Sequence, residues 1–190
     1  MYHIPNGKRA AETAALIGDA LVCLLQKKSL SSLTKSEVIR QATVSRSTFY
    51  RMFYSLEDIM DYLCDRLVSE YLRSFIQTRQ GQEPKDLDLY LFALRYWLAN
   101  SSVINLLVEN GLEEKLYLSL RRNCGIFFSQ YVPDVDLNAE DIDLFLSMKM
   151  GGLSQSIITW CRLGEHRPVE ETARQLSHYI EIFNQLGFFS

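Results

Sequence analysis

Three helix-start signals crowd the stretch from Thr34 to Ser55, and no other feature of the 190-residue chain restricts its fold more. Thr34 with Glu37 has the form of a capping box, in which the hydroxyl accepts from the N3 amide and the carboxylate reaches back to the N-cap amide. Ser45 precedes a second short apolar-periodic stretch carrying Phe49, Met52 and Phe53, and Ser55 with Asp58 repeats the box, with acids in the first turn. Helices begun this close together leave room only for tight turns. The spacing predicts a helix-turn-helix followed by a long helix from Ser55 to about Ile76 on Ile59, Leu63, Leu67 and Tyr71.

On either side the pattern stays helical. Ala14, Ile17, Leu21, Leu24 and Leu25 recur at spacings of three and four, which predicts a first helix over Ala10 to Lys28. Residues 77–84, Gln-Thr-Arg-Gln-Gly-Gln-Glu-Pro, form the most loop-like stretch. Further helices are expected over 86–100, 102–109, 112–131, 139–163 and 168–186, with no strand-like alternation between them. The expected fold class is all-α: a three-helix head (residues 1–54) and a larger helical body (55–190) for ligand binding and dimerisation, joined by the helix over 55–76. The segment 86–100 is apolar nearly all round and must be covered on more than one side.

With 47% hydrophobic residues the chain can bury a sizeable core, and it needs no metal or disulfide to do so. Cys23, Cys64, Cys124 and Cys161 lie far apart in apolar stretches, so reduced core thiols and a cytoplasmic setting are expected. The opening residues lack the apolar run of an export signal, and no uncharged run reaches the roughly 18 residues of a membrane span. Charge is divided along the chain: residues 1–54 carry eight Lys or Arg against three acids, plus 5, while the other 136 carry 12 against 20, minus 8. A basic end on an acidic body suits a polyanion bound at one place.

If the segment opened by Ser45 is the reading helix, Val44, Phe49 and Phe53 are its buried back, and Arg46, Ser47, Thr48, Tyr50 and Arg51 face outward or edgewise. Arg46 has the fork to grip a guanine bidentately, worth about 1–3 kcal/mol of base discrimination. Ser45, Thr48 and Tyr50, with Thr34 and Lys35 at the start of the preceding helix, suit phosphates. Read from residue types alone, the same segment also fits an ordinary solvated helix face.

The wording from Ala42 to Phe53, Ala-Thr-Val-Ser-Arg-Ser-Thr-Phe-Tyr-Arg-Met-Phe, followed by Ser55-Leu-Glu-Asp58, resembles the signature of the tetracycline-repressor (TetR) family over about 50 residues. The resemblance implies a homodimeric regulator that binds double-stranded operator DNA, most often as a repressor answering a small-molecule effector. It places Arg46, Ser47 and Thr48 on base-reading positions, Tyr50 on a phosphate-contacting tyrosine, and Lys35 near the phosphate contact of the second helix. Trp160-Cys-Arg-Leu-Gly164 followed by Pro168-Val-Glu-Glu171 resembles the branch that includes the dihydroxyacetone-kinase activators (DhaS-like). Two positions depart from the family. Thr43 stands where glycine is usual, so the turn must avoid positive φ or accept about 1–2 kcal/mol of strain. Leu56 stands where a lysine usually meets phosphate.

The last two helices carry stripes at heptad-like spacing, apolar but for Lys149: Ile142, Leu146, Lys149, Leu153, Ile157 and Trp160 in one, Val169, Ala173, Leu176, Ile180, Phe183 and Gly187 in the other. Such stripes suit a four-helix bundle made from two chains, with Leu153, Ile157, Trp160, Leu176, Ile180 and Phe183 as its interface, or they face this chain's own core. Gly151-Gly152 inside a helix costs about 1 kcal/mol per glycine, which predicts a compensating close helix approach there. Tyr90, Tyr96, Trp97, Phe127 and Tyr131 either wall a small-molecule pocket or pack solid. Arg95, alone among apolar neighbours, either snorkels to water or meets an anionic ligand. Only three histidines occur, none at metal-ligand spacing, and no glycine-rich phosphate loop is found, so neither an enzyme nor a cofactor is expected. The competing functional reading is a TetR-like co-regulator acting mainly through protein contacts, which Leu56 and the acidic body leave open.

Overall fold

A computed structural model describes residues 2–79, 86–131, 139–163 and 168–185; within these, the side chains of 78–79, 86–89, 126–131, 139, 180–181 and 183–185 lie outside the description. The described residues form helices α1 (Lys8–Leu25), α2 (Lys35–Gln41), α3 (Arg46–Met52), α4 (Leu56–Arg79), α5 (Asp86–Ala99), α6 (Ser101–Glu109), α7 (Glu114–Tyr131), α8 (Ala139–Leu163) and α9 (Val169–Gln185), with a 3-10 turn at Leu30–Ser32 between α1 and α2. The expected helices are all present. α1 ends sooner than its apolar pattern suggests, because Lys27 and Lys28 both turn their amides onto the Leu24 carbonyl and leave the helix for solvent.

Both predicted capping boxes form. Glu37 N donates to Thr34 Oγ1 at 3.3 Å while Thr34 N donates to Glu37 Oε2 at 2.9 Å, and Asp58 N donates to Ser55 Oγ at 3.1 Å while the amides of Tyr54 and Ser55 donate to Asp58 Oδ2. Each box satisfies orphan amides at a helix start, typically worth about 1 kcal/mol.

Ala14, Ile17, Leu21 and Leu25 of α1, which packs on α2 and α4, share one buried cluster with Val38 and Ile39 of α2, Phe49 and Met52 of α3, and Ile59 and Leu63 of α4. α1 crosses α4 so closely that a Cβ on Gly18 would stand 2.9 Å from Leu63 Cδ2. The same buried cluster runs on without a break into Leu94 and Trp97 of α5, Ile104 and Leu107 of α6, Leu116 and Leu120 of α7, and Ile157 and Trp160 of α8. Head and body therefore share one core, and Leu56, only 7% exposed, belongs to it rather than to the surface. α5 packs on α9 and α8 and touches α4 and α6, which covers its all-round apolar surface.

The structure bears on both expectations about α8, and for the stripe it takes the second of the two readings. Ile157 and Trp160 are buried in this chain's own core, and Leu153 and Leu176 pack against it half-buried, so the predicted interface stripe faces inward. The face α8 and α9 turn to solvent instead carries Leu144 (71% exposed), Met148, Leu163, Tyr179 and Ile182. The side chains of Ile180 and Phe183 lie outside the described residues. Among the described residues nothing comes within 4 Å of a Cβ built on Gly151 or Gly152, so no close approach is made there by them.

Candidate nucleic-acid interface

The second and third helices are short, and the backbone between them closes in a tight reversal. Val44 N donates to the Ile39 carbonyl at 3.3 Å and Thr43 N to the Arg40 carbonyl at 3.2 Å, the paired bonds of a Schellman stop with Thr43 at its left-handed position. Thr43 has φ of 56°, a conformation that costs a β-branched residue about 1–2 kcal/mol and that glycine adopts freely. Of the two routes open to this turn, the chain takes the strained one.

Ser45 then starts α3, its Oγ accepting from Thr48 N at 3.0 Å and sharing hydrogen bonds with the hydroxyls of Ser47 and Thr48. Phe49, Met52 and Phe53 are wholly buried, and they anchor a helix too short to persist alone. Val44, expected in the buried set, is only half-buried, and Met52 takes the deeper place. Everything else on α3 faces out: Arg46, Ser47 and Arg51 are exposed, Tyr50 is 45% exposed and Thr48 half-exposed. Among the described residues neither Arg46 nor Arg51 has an ion-pair partner. Two unpaired guanidinium groups on one protruding helix are arranged for an anion outside the molecule.

α2 completes the face. Lys35 Nζ reaches across to the Tyr54 carbonyl at 3.1 Å and lies 5.3 Å from the centre of the Tyr50 ring, so it fixes the tyrosine while keeping its charge on the same surface. Thr34, by contrast, spends its hydroxyl on Glu37, donating to Oε2 at 2.8 Å, which leaves it as a cap first and a phosphate contact second. Glu37 also takes Lys28 at 2.7 Å. That bond, with those from the Thr34 amide and hydroxyl, pulls the Glu37 carboxyl down to about 2. Tyr54, 66% exposed directly after α3, extends the face and was not singled out from sequence. Its signal is an aromatic with a polar tip immediately following the buried Phe53.

Of the aromatic residues expected either to wall a pocket or to pack solid, the described ones pack together. Trp97 is 1% exposed and, with Tyr96, packs on Tyr71, which also stacks on Phe92. Tyr96 Oη donates to the Leu67 carbonyl at 2.7 Å, while Trp97 Nε1 has no partner among the described residues. Tyr90 packs half-buried against the core, and the side chains of Phe127 and Tyr131 lie outside the described residues. Arg95 snorkels to the surface, 62% of its side chain exposed, where it pairs with Glu170 on α9 at 2.9 Å. Burial raises the thiols of Cys64 to about 12 and of Cys124 and Cys161 to about 11, so all three stay protonated. Among the described residues no group of His, Cys, Asp and Glu is placed to hold a metal, and no single helix is long and apolar enough to cross a membrane.

A scan against protein-family models finds no match, and a search of curated proteins finds none either. Solved structures do match along nearly the whole chain. The fatty acid degradation regulator FadR from Bacillus halodurans aligns with a TM-score of 0.56 at 15% identity, covering 90% of this chain and 93% of that one. A TetR transcriptional regulator from Streptococcus agalactiae aligns with a TM-score of 0.55 at 21% identity over 90% and 93% of the two chains. The dihydroxyacetone kinase operon activator DhaS gives 0.55 at 15% identity, over 92% and 97%. A short helix-turn-helix with an outward basic face, set on a long α4 and a helical body matched from end to end, gives this chain the fold of the TetR-type regulators.

Proposed function

We infer that the chain is a TetR-type transcription regulator that binds double-stranded operator DNA through α3 as a homodimer. The observation that carries this reading is the arrangement of α3. Phe49, Met52 and Phe53 are sunk in the core, while Arg46, Ser47, Tyr50 and Arg51 project outward with no carboxylate partner among the described residues. Arg46 reads a guanine, Ser47 and Thr48 contact neighbouring base edges, and Ser45, Tyr50, Lys35 and Thr34 hold phosphates. Net plus 5 on residues 1–54 supplies counterion release at this end, and the minus 8 of the body keeps the rest of the molecule off the duplex.

The second copy docks on the solvent face of α8 and α9, through Leu144, Met148 and Ile182, with the bare Gly151-Gly152 surface allowing close approach. Two heads about 34–36 Å apart then read a near-palindromic site. Among the described residues the buried indole N–H groups of Trp97 and Trp160 lack a partner, and a small-molecule effector that offered Trp97 an acceptor atom would gain there, because a buried unpaired donor costs about 1–3 kcal/mol. Repression is the default for such a regulator, although the similar DhaS is an operon activator. The test is footprinting of the purified protein on genomic fragments at several salt concentrations. A protected near-palindrome whose affinity falls steeply with salt is expected, and protection with no sequence preference contradicts the reading.

A further inference from the structure

The carboxylate of Asp65, on α4 and 8% exposed, collects donors from opposite sides of the helix packing. Its Oδ1 accepts from three residues of α7: Ser119 Oγ at 2.6 Å, Asn123 Nδ2 at 3.1 Å, and Arg122 Nη2. Its Oδ2 accepts from Tyr2 Oη at 2.5 Å. Tyr2 belongs to the short segment before α1 that straps the head. Its ring packs on Phe53 at 6.1 Å and edge-on to Tyr62 at 5.7 Å, and the next amide, His3 N, donates to the Met52 carbonyl at 2.9 Å. Met52 is the last residue of α3, so that bond satisfies one of the orphan carbonyls at the end of the reading helix. Burial, then the bond to Asp65, raises the Tyr2 hydroxyl well above its ordinary range, which keeps it a donor.

We propose that Asp65 is the joint through which α7 of the body sets the position of the reading helix α3, one carboxylate oxygen being committed to α7 and the other to the Tyr2 strap. This rests on the reading of α3 as the DNA-contacting element. A buried carboxylate is tolerated only while its charge is compensated, and withdrawing donors from one oxygen raises the cost of the whole site. A shift of α7 therefore loosens the strap, and with it the cap on Met52. By reciprocity, DNA that fixes α3 also fixes α7. A solvent-open groove of about 480 Å³ beside the joint, bordered by Tyr2, Arg66, Arg73 and Arg122, leaves room for it to part. The connection is invisible to local pattern, because the hydroxyl partners of Asp65 stand 63 residues before it and 54 after it in the chain.

The test is amide hydrogen exchange on the full chain for Tyr2→Phe and Ser119→Ala, each of which removes one hydroxyl and keeps the packing. Amides 49–53 are expected to exchange about tenfold faster in both variants, with α5 and α6 unchanged. Ser119→Ala is the decisive arm, since among the described residues the Ser119 hydroxyl bonds Asp65 and Asn123 and not α3 or the strap. Exchange in α3 within twofold of wild type, or uniform acceleration of every helix, overturns the joint. Operator affinity of the same proteins separates this from the function. A wild type that binds no DNA but shows the local acceleration in its variants keeps the joint and removes the DNA reading. Operator binding with unaltered α3 exchange does the reverse.

Discussion

The head and the α8–α9 end present the same kind of sequence signal, an apolar stripe on a helix, with opposite outcomes. In α3 the stripe of Phe49, Met52 and Phe53 is buried and the polar remainder faces out, as the spacing predicts. In α8 the stripe through Ile157 and Trp160 is just as buried, but inside this chain, while the exposed face bears Leu144 and Met148. A helical period says that one face is covered; it does not say by what. In the head the closely set caps leave no other partner within reach. At the far end the chain's own α5 and, in the proposed dimer, a second copy are both candidates, and periodicity cannot choose between them.

That contrast can be broken most forcefully in the cores. Phe49→Ala and Trp160→Ala should each destabilise the folded chain by about 3–5 kcal/mol, seen as a lowered denaturation midpoint. If Trp160→Ala left the monomer's stability intact and only split a dimer, the inward assignment of the α8 stripe would be wrong. Next in size, the pair Leu144→Glu and Met148→Glu should weaken self-association about a hundredfold by sedimentation, with little change in melting temperature. An unaltered dimer would move the interface elsewhere.

Much of the fold was legible because it is written locally. Thr34, Ser45 and Ser55 announce their helices, whereas α4 runs on through residues 77–79 of the stretch read as a loop, the rest of which lies outside the described residues. The outward set on α3 follows from the positions of its three buried aromatic and methionine anchors. What was not legible is long-range: the choice of partner for Arg95, the direction in which Trp160 points, and the link from Tyr2 to Asp65. The turn at Thr43 lay between, since the sequence posed its two backbone options and only the φ of 56° decided.

Smaller effects sharpen the head. Thr43→Gly removes the left-handed strain but adds freedom to the unfolded chain, so a net gain of about 0.5–1 kcal/mol is expected in thermal unfolding. A loss of stability would mean that the threonine makes a compensating contact. Smallest is the pH response of the α2 cap. Glu37 has its carboxyl held down to about 2 by Lys28 and Thr34. The stabilisation is therefore complete above the ordinary glutamate range near 4.5 and is lost as pH falls toward about 2. Exchange protection of α2 should decline across that window, and Glu37→Gln should flatten the decline.

The most direct measurement is base preference at the operator for wild type, Arg46→Ala and Lys35→Ala. Arg46→Ala is expected to lose about 1–3 kcal/mol of discrimination at one base pair in each half-site, whereas Lys35→Ala weakens every sequence alike. Equal, sequence-blind losses in both variants would contradict the assignment of α3 as the helix that reads DNA.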